Sequence, residues 1–90
     1  MASHIEYNLA CVCDGLANFA VNAAEKSSQL DECCRYLDLA AKTGAQPKEL
    51  VDSDLKNGDL ANVGASQPHA GIVRGILDQY QAAWQRNATP

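Results

Sequence analysis

Residues 23–42 read AAEKSSQLDECCRYLDLAAK. Whether they continue the helix before them or open a new one decides the fold. Upstream, Ser3-His4-Ile5-Glu6 has the pattern of a capping box, with a Ser hydroxyl for an orphan N–H and a Glu reaching back. Apolar residues then fall at Ile5, Leu9, Val12, Leu16, Phe19 and Ala23, alternately four and three apart. That is the seam of a core-facing or coiled-coil-like helix. Counting on through the quoted stretch gives Lys26, a misfit, and then Leu30, Cys33, Leu37 and Ala40.

The register therefore survives the polar run Glu25-Lys26-Ser27-Ser28-Gln29, and residues 23–42 contain no Gly, Pro or Asn. Asp31 before Arg35 and Asp38 before Lys42 have the favourable acid-first spacing of four. The favoured reading is one long N-terminal helix, about 3–43. The competing one is a helical hairpin in which Ser28 caps the second arm.

Outward from there, Gly44 suits a helix end and Pro47 a first turn, so a short helix is expected over about 47–55, stopped by Asn57-Gly58. Residues 58–66, GDLANVGAS, read as a loop anchored by Leu60 and Val63. Pro68 opens a C-terminal helix, about 68–86, with Ile72, Val73, Ile76, Leu77, Tyr80, Ala83 and Trp84 on its apolar face. Arg74, Asp78, Gln81 and Gln85 face away. Gly71 and Gly75 suggest a close helix crossing on their side. The expectation is one all-α domain, residues 1–90.

A chain of this length buries about 60–65% of its unfolded surface. Much of its apolar content is Ala, and the aromatics number five, so the core is thin and a homodimer is expected. Three basic and six acidic groups lie in residues 1–45, four and five in the rest. Neither half carries the basic stripe that phosphate neutralisation needs. The opening MASHIEYNL lacks a secretory pattern, and no apolar run approaches the ~20 residues that span a bilayer. The expected location is the cytoplasm.

Residues 33–55 nevertheless have the look of a helix-turn-helix. Ala40, Gly44 and Leu50 fit its spacing, Ser53 does not, and Val51 with Leu55 could serve in a shifted packing. Its reading helix, PKELVDSDL, sets Lys48 against Glu49, Asp52 and Asp54, with only Gln46 nearby for a base contact. Carboxylates at that density repel phosphate, and the groups for bidentate base contacts are missing from the helix. DNA binding through Gln46 and Lys48 is the alternative function.

Cys11-Val12-Cys13 and Cys33-Cys34 are not spaced as zinc ligands are, and two residues apart on a helix point about 200° from each other. They read as small reduced hydrophobes, and no metal or cofactor is expected. His4 and His69 stand near helix starts without a nucleophile in a recognisable motif, and read as solvated helix-end residues. Asp14-Gly15 inside the first helix is odd. Gly there costs about 1 kcal/mol against Ala, so either something approaches the backbone closely or a surface Gly is tolerated. No catalytic site is expected. The functional expectation is a small regulator or inhibitor that docks an apolar helix face on a partner protein. Its candidate contacts are Leu9, Val12, Leu16 and Phe19 on the first seam and Ile76, Tyr80 and Trp84 on the last helix.

Overall fold

The structure, a computed structural model, describes residues 2–42 and 48–79, with side chains over 5–42 and 50–79. Among these residues the fold is all-helical, with five α-helices and no strand: α1 Ala2–Leu16, α2 Ala23–Ala41, α3 Lys48–Asn57, α4 Ala61–Ala65 and α5 His69–Gln79.

The long-helix reading is overturned. The chain breaks between Phe19 and Ala23, where α1 tightens into a 3₁₀ turn at Ala17–Phe19 and Ala20 goes extended at φ −65°, ψ 138°. Asn22, itself extended, then caps α2, its side chain accepting from the Glu25 backbone N–H at 2.8 Å. This is an ordinary Asx cap satisfying one of the orphan donors of a helix start. The hairpin alternative holds, but its cap lies six residues before Ser28, which is exposed inside α2. The Ser3 box is displaced too, since α1 already begins at Ala2.

With the chain folded back, α1 lies along α2, the most extensive contact in the molecule, while α5 packs on α2 and on α4. The core runs along α2 through Leu30, Cys33, Cys34, Leu37, Ala40 and Ala41, all buried. Val51 of α3, Val63 of α4 and Val73 of α5 close over it. Leu60 and Val63 are fully buried, as their anchoring role requires, but Ala61–Ala65 is a helical turn rather than loop. It exists because Gly64 lets it press against α3. A Cβ at that position would run into the Leu55 carbonyl.

Two surface expectations fail. Gly71 and Gly75 are exposed, with nothing within 4 Å of an added Cβ, so among the described residues no helix crosses there. Arg35 pairs with Glu32 at 2.8 Å instead of Asp31, whose carboxylate is engaged by His69; Asp38–Lys42 does form, at 3.6 Å. The expected Gly44 cap, Gln46, Pro47 and residues 80–86, with Tyr80, Ala83 and Trp84, lie outside the described residues.

Candidate protein-docking face

Helix α1 has two apolar faces of opposite fate. Tyr7, Ala10, Asp14 and Ala17, spaced three, four and three apart, point inward and are buried. Ile5, Leu9, Val12, Leu16 and Phe19, the alternating seam, point outward and are exposed. With Val21 they form a stripe in which Ile5 is 62% exposed, Val12 54%, Phe19 80% and Val21 82%. The stripe's exposed area is on the order of 600 Å², the size of the largest apolar patch a monomer ordinarily shows.

The inward face is held by polar ties, and this fixes which way the stripe points. The Tyr7 hydroxyl donates to Asp54 Oδ2 of α3 at 2.5 Å. Burial and that carboxylate push the phenol's pKa up. Asp14 reaches across to the start of α4, where Leu60 stands at the cap position without a side-chain oxygen. The Asp14 carboxylate takes over, accepting from the backbone N–H of Asn62 at 3.3 Å and of Val63 at 2.7 Å. These are the N–H groups that a cap normally serves. The Asn62 amide returns the contact, donating to the Asp14 carbonyl and to Asn18 Oδ1, both at 2.9 Å. Something does approach this backbone closely, then, but on the Asp14 side. An added Cβ at Gly15 meets nothing within 4 Å.

Asp14 is the one Asp, Glu, Lys or Arg between residues 7 and 24. With its carboxylate turned inward, the outer surface of α1 beyond Glu6 carries no formal charge, on a chain whose net charge is −4. Burial lifts the Asp14 pKa above the ordinary carboxylate value, and the backbone bonds from Val63 and Asn62 pull it part of the way back.

On the last helix, Ile76 is half-buried against the core and Ile72 is exposed, on the side of α2 where α5 packs. Leu9, Val12 and Leu16 of α1 and Phe19 of the 3₁₀ turn therefore share one stripe, and Ile76 belongs to a separate surface. Tyr80 and Trp84 lie outside the described residues, as do Gln46 and the side chain of Lys48. In α3, Val51 is buried and Leu50 is exposed, while the turn between α2 and α3 lies outside the described residues. Asp54, one of the carboxylates of that helix, is engaged by Tyr7.

His69 corrects the solvated reading, being only 3% exposed with both ring nitrogens engaged. Nε2 lies 2.8 Å from Asp31 Oδ1 and Nδ1 lies 3.1 Å from Ser66 Oγ. The carboxylate accepts, so Nε2 carries the proton and Nδ1 accepts from the Ser66 hydroxyl. Serine, histidine and aspartate stand in the order of a nucleophile, base and acid, while among the described residues the hollow between α3, α4 and α5 and the one between α2 and α5 are lined by other side chains. What the arrangement does is tie the start of α5 to α2. One hollow, about 370 Å³, lies among α3, α4 and α5. Asp52, Asp78, Lys56 and Arg74 supply charges of both signs to its lining, which has no Ser, Cys or His.

The four thiols are free, with Cys33 and Cys34 buried and Cys11 and Cys13 packed against the core's edge. Burial raises all four, Cys11 to about 12 and Cys34 to about 11, so they remain protonated and weakly nucleophilic. Among the described residues, no group of three or more His, Cys, Asp or Glu is placed to hold a metal ion. None of the described helices is long and apolar enough to cross a membrane.

Compared with known proteins, the chain matches no family model, no curated protein and no solved structure.

Two features of this surface and its surroundings escaped the reading of the sequence: Val21, and the pairing of Ser66 and His69 with Asp31. The signal for Val21 was Asn22, a good cap residue beside an apolar one that no α-helical phase accommodates. Ser66-x-x-His69 before a helix was a local capping signal, but nothing in sequence pointed to Asp31.

Proposed function

We propose that this protein is a non-enzymatic interaction module, a small regulator or inhibitor that docks the outer face of α1 on a partner protein. One observation carries the reading. A helix tied down on its inner side by Tyr7 and Asp14 presents a continuous, uncharged apolar stripe on its outer side. A face like this is already ordered, so a partner that covers it gains apolar burial without the entropy of folding it. Apolar anchors at helical spacing are what a hydrophobic groove or a second helix recognises.

The partner's chemistry follows: an apolar surface with few charges at its centre. Asp54 of the helix that the DNA-binding alternative uses is engaged internally by Tyr7, which adds nothing in that alternative's favour. Affinity capture from the host with the native chain and with Val12→Asp tests the proposal. Val12 is outside the core, so the variant should keep its helical circular dichroism and thermal midpoint while losing the captured protein. Capture undiminished by Val12→Asp and Phe19→Asp together would refute it.

A further inference from the structure

We infer that the first occupant of the α1 face is a second copy of this chain, seated antiparallel across a two-fold axis near Val12. This rests on the docking reading and specifies what covers the stripe in the free protein.

The repeat favours such a partner. Ile5, Leu9, Val12, Leu16 and Phe19 follow a 3.5-residue period, the pattern that packs best against another helix of the same period. A second copy supplies such a helix by symmetry, and two-fold pairing is the commonest closed arrangement. Area favours it too. A stripe on the order of 600 Å², widened by its flanking residues, approaches the ~800 Å² per partner of a standard stable interface.

Charge selects both the face and the direction. A chain of net charge −4 repels its own copies through most surfaces, but the outer face of α1 is free of charge beyond Glu6. A parallel pair would bring the two Glu6 carboxylates to the same end. An antiparallel pair about Val12 sets them roughly 18 Å apart along the helix, beyond the Debye length of ~8 Å at physiological salt. It also opposes the two helix dipoles favourably. In this register Val12 meets its own copy, Leu9 meets Leu16, and Ile5 meets Phe19. The small flanking residues Asn8 and Gly15 leave room for close approach. A docking partner then has to displace the second copy.

Sedimentation of the purified 90-residue chain over a concentration series tests this without any other protein present. The native chain should form a dimer. Leu9→Lys and Leu16→Glu should each weaken it by at least about tenfold. The double variant should restore it, because antiparallel packing brings position 9 of one copy beside position 16 of the other and so pairs an ammonium with a carboxylate. Circular dichroism checks the fold; should either variant lose helix, Ile5→Lys with Phe19→Glu applies the same logic at more exposed positions. A monomer at all concentrations, a dimer indifferent to Leu9→Lys, or single variants without rescue would each overturn the inference. If the chain is monomeric yet Val12→Asp still abolishes partner capture, self-pairing falls and docking stands. If the antiparallel dimer forms and nothing is captured, docking falls and self-pairing stands.

Discussion

Asp14 is a helix cap supplied from another helix. It gives α4 the acceptor that Leu60 lacks, and it removes a charge from the outer surface of α1. Asp14→Ala should therefore cost about 2 kcal/mol, the loss of a cap and of charge-assisted bonds, measurable by urea unfolding. An acid whose pKa is raised on folding binds its proton more tightly in the native state. Its contribution is full below the unfolded value and declines as pH rises through the raised one. For Asp14 that window begins near the ordinary 3.8 and extends upward. Asp14→Asn should flatten the corresponding fall in urea midpoint with rising pH; an unchanged slope would show that other groups carry it. The glycines separate cleanly at the same scale. Gly15→Ala, pointing into open space, should stabilise by up to ~1 kcal/mol. Gly64→Ala should destabilise, since its Cβ has to displace the α3 backbone. Opposite shifts in thermal midpoint are the expected result.

Among the elements, the turn at Ala20-Val21-Asn22 is where the fold is decided. Three residues reverse the chain, and the Asn22 side chain makes the new start acceptable by taking the Glu25 N–H. Asn22→Ala should cost about 1 kcal/mol, and Asn22→Asp should recover most of it because a carboxylate also suits a helix N-terminus. Thermal melts of both variants give the test. Helix α5 depends on a different device, the buried His69 held between Ser66 and Asp31. Both ring nitrogens are engaged, so the geometry of these two contacts is what holds the helix start. His69→Ala empties a buried site and leaves the Ser66 hydroxyl without its acceptor, and should lower stability by about 2 kcal/mol. Hydrogen exchange should localise the loss to α5, leaving the α1–α2 hairpin protected.

At the scale of the whole molecule, the described helices fold around α2, and none of them covers the outer side of α1. The core takes the form of an Ala- and Cys-lined hairpin, with Tyr7, Leu30, Leu37, Leu60 and three valines as its large buried side chains. Its thiols serve as packing. Cys33 and Cys34 should react with a thiol reagent only at the rate of unfolding, whereas the half-buried Cys11 and Cys13 should react sooner, still slowly for want of thiolate. A time course in native buffer and in urea checks this; four equally fast thiols in native buffer would contradict the packing.

The sequence alone determined the helical class, a short helix expected near 47–55 and found at 48–57, a helix after Pro68, the anchoring of Leu60 and Val63, and a 3.5-residue apolar rhythm through the first 40 residues. Those features are local or periodic, set by propensity, capping and spacing within a few turns. Tertiary structure decided what the rhythm was for. Both arms keep one phase, yet Leu30, Cys33 and Leu37 are buried while Ile5, Val12 and Phe19 are exposed. Periodicity marks a stripe but cannot say whether the chain itself covers it; that follows from a three-residue reversal and from Tyr7 and Asp14 turning the opposite face of α1 inward. His69 was misjudged for the same reason. Its partner Asp31 is 38 residues away, and only the docking of α5 on α2 brings the two together.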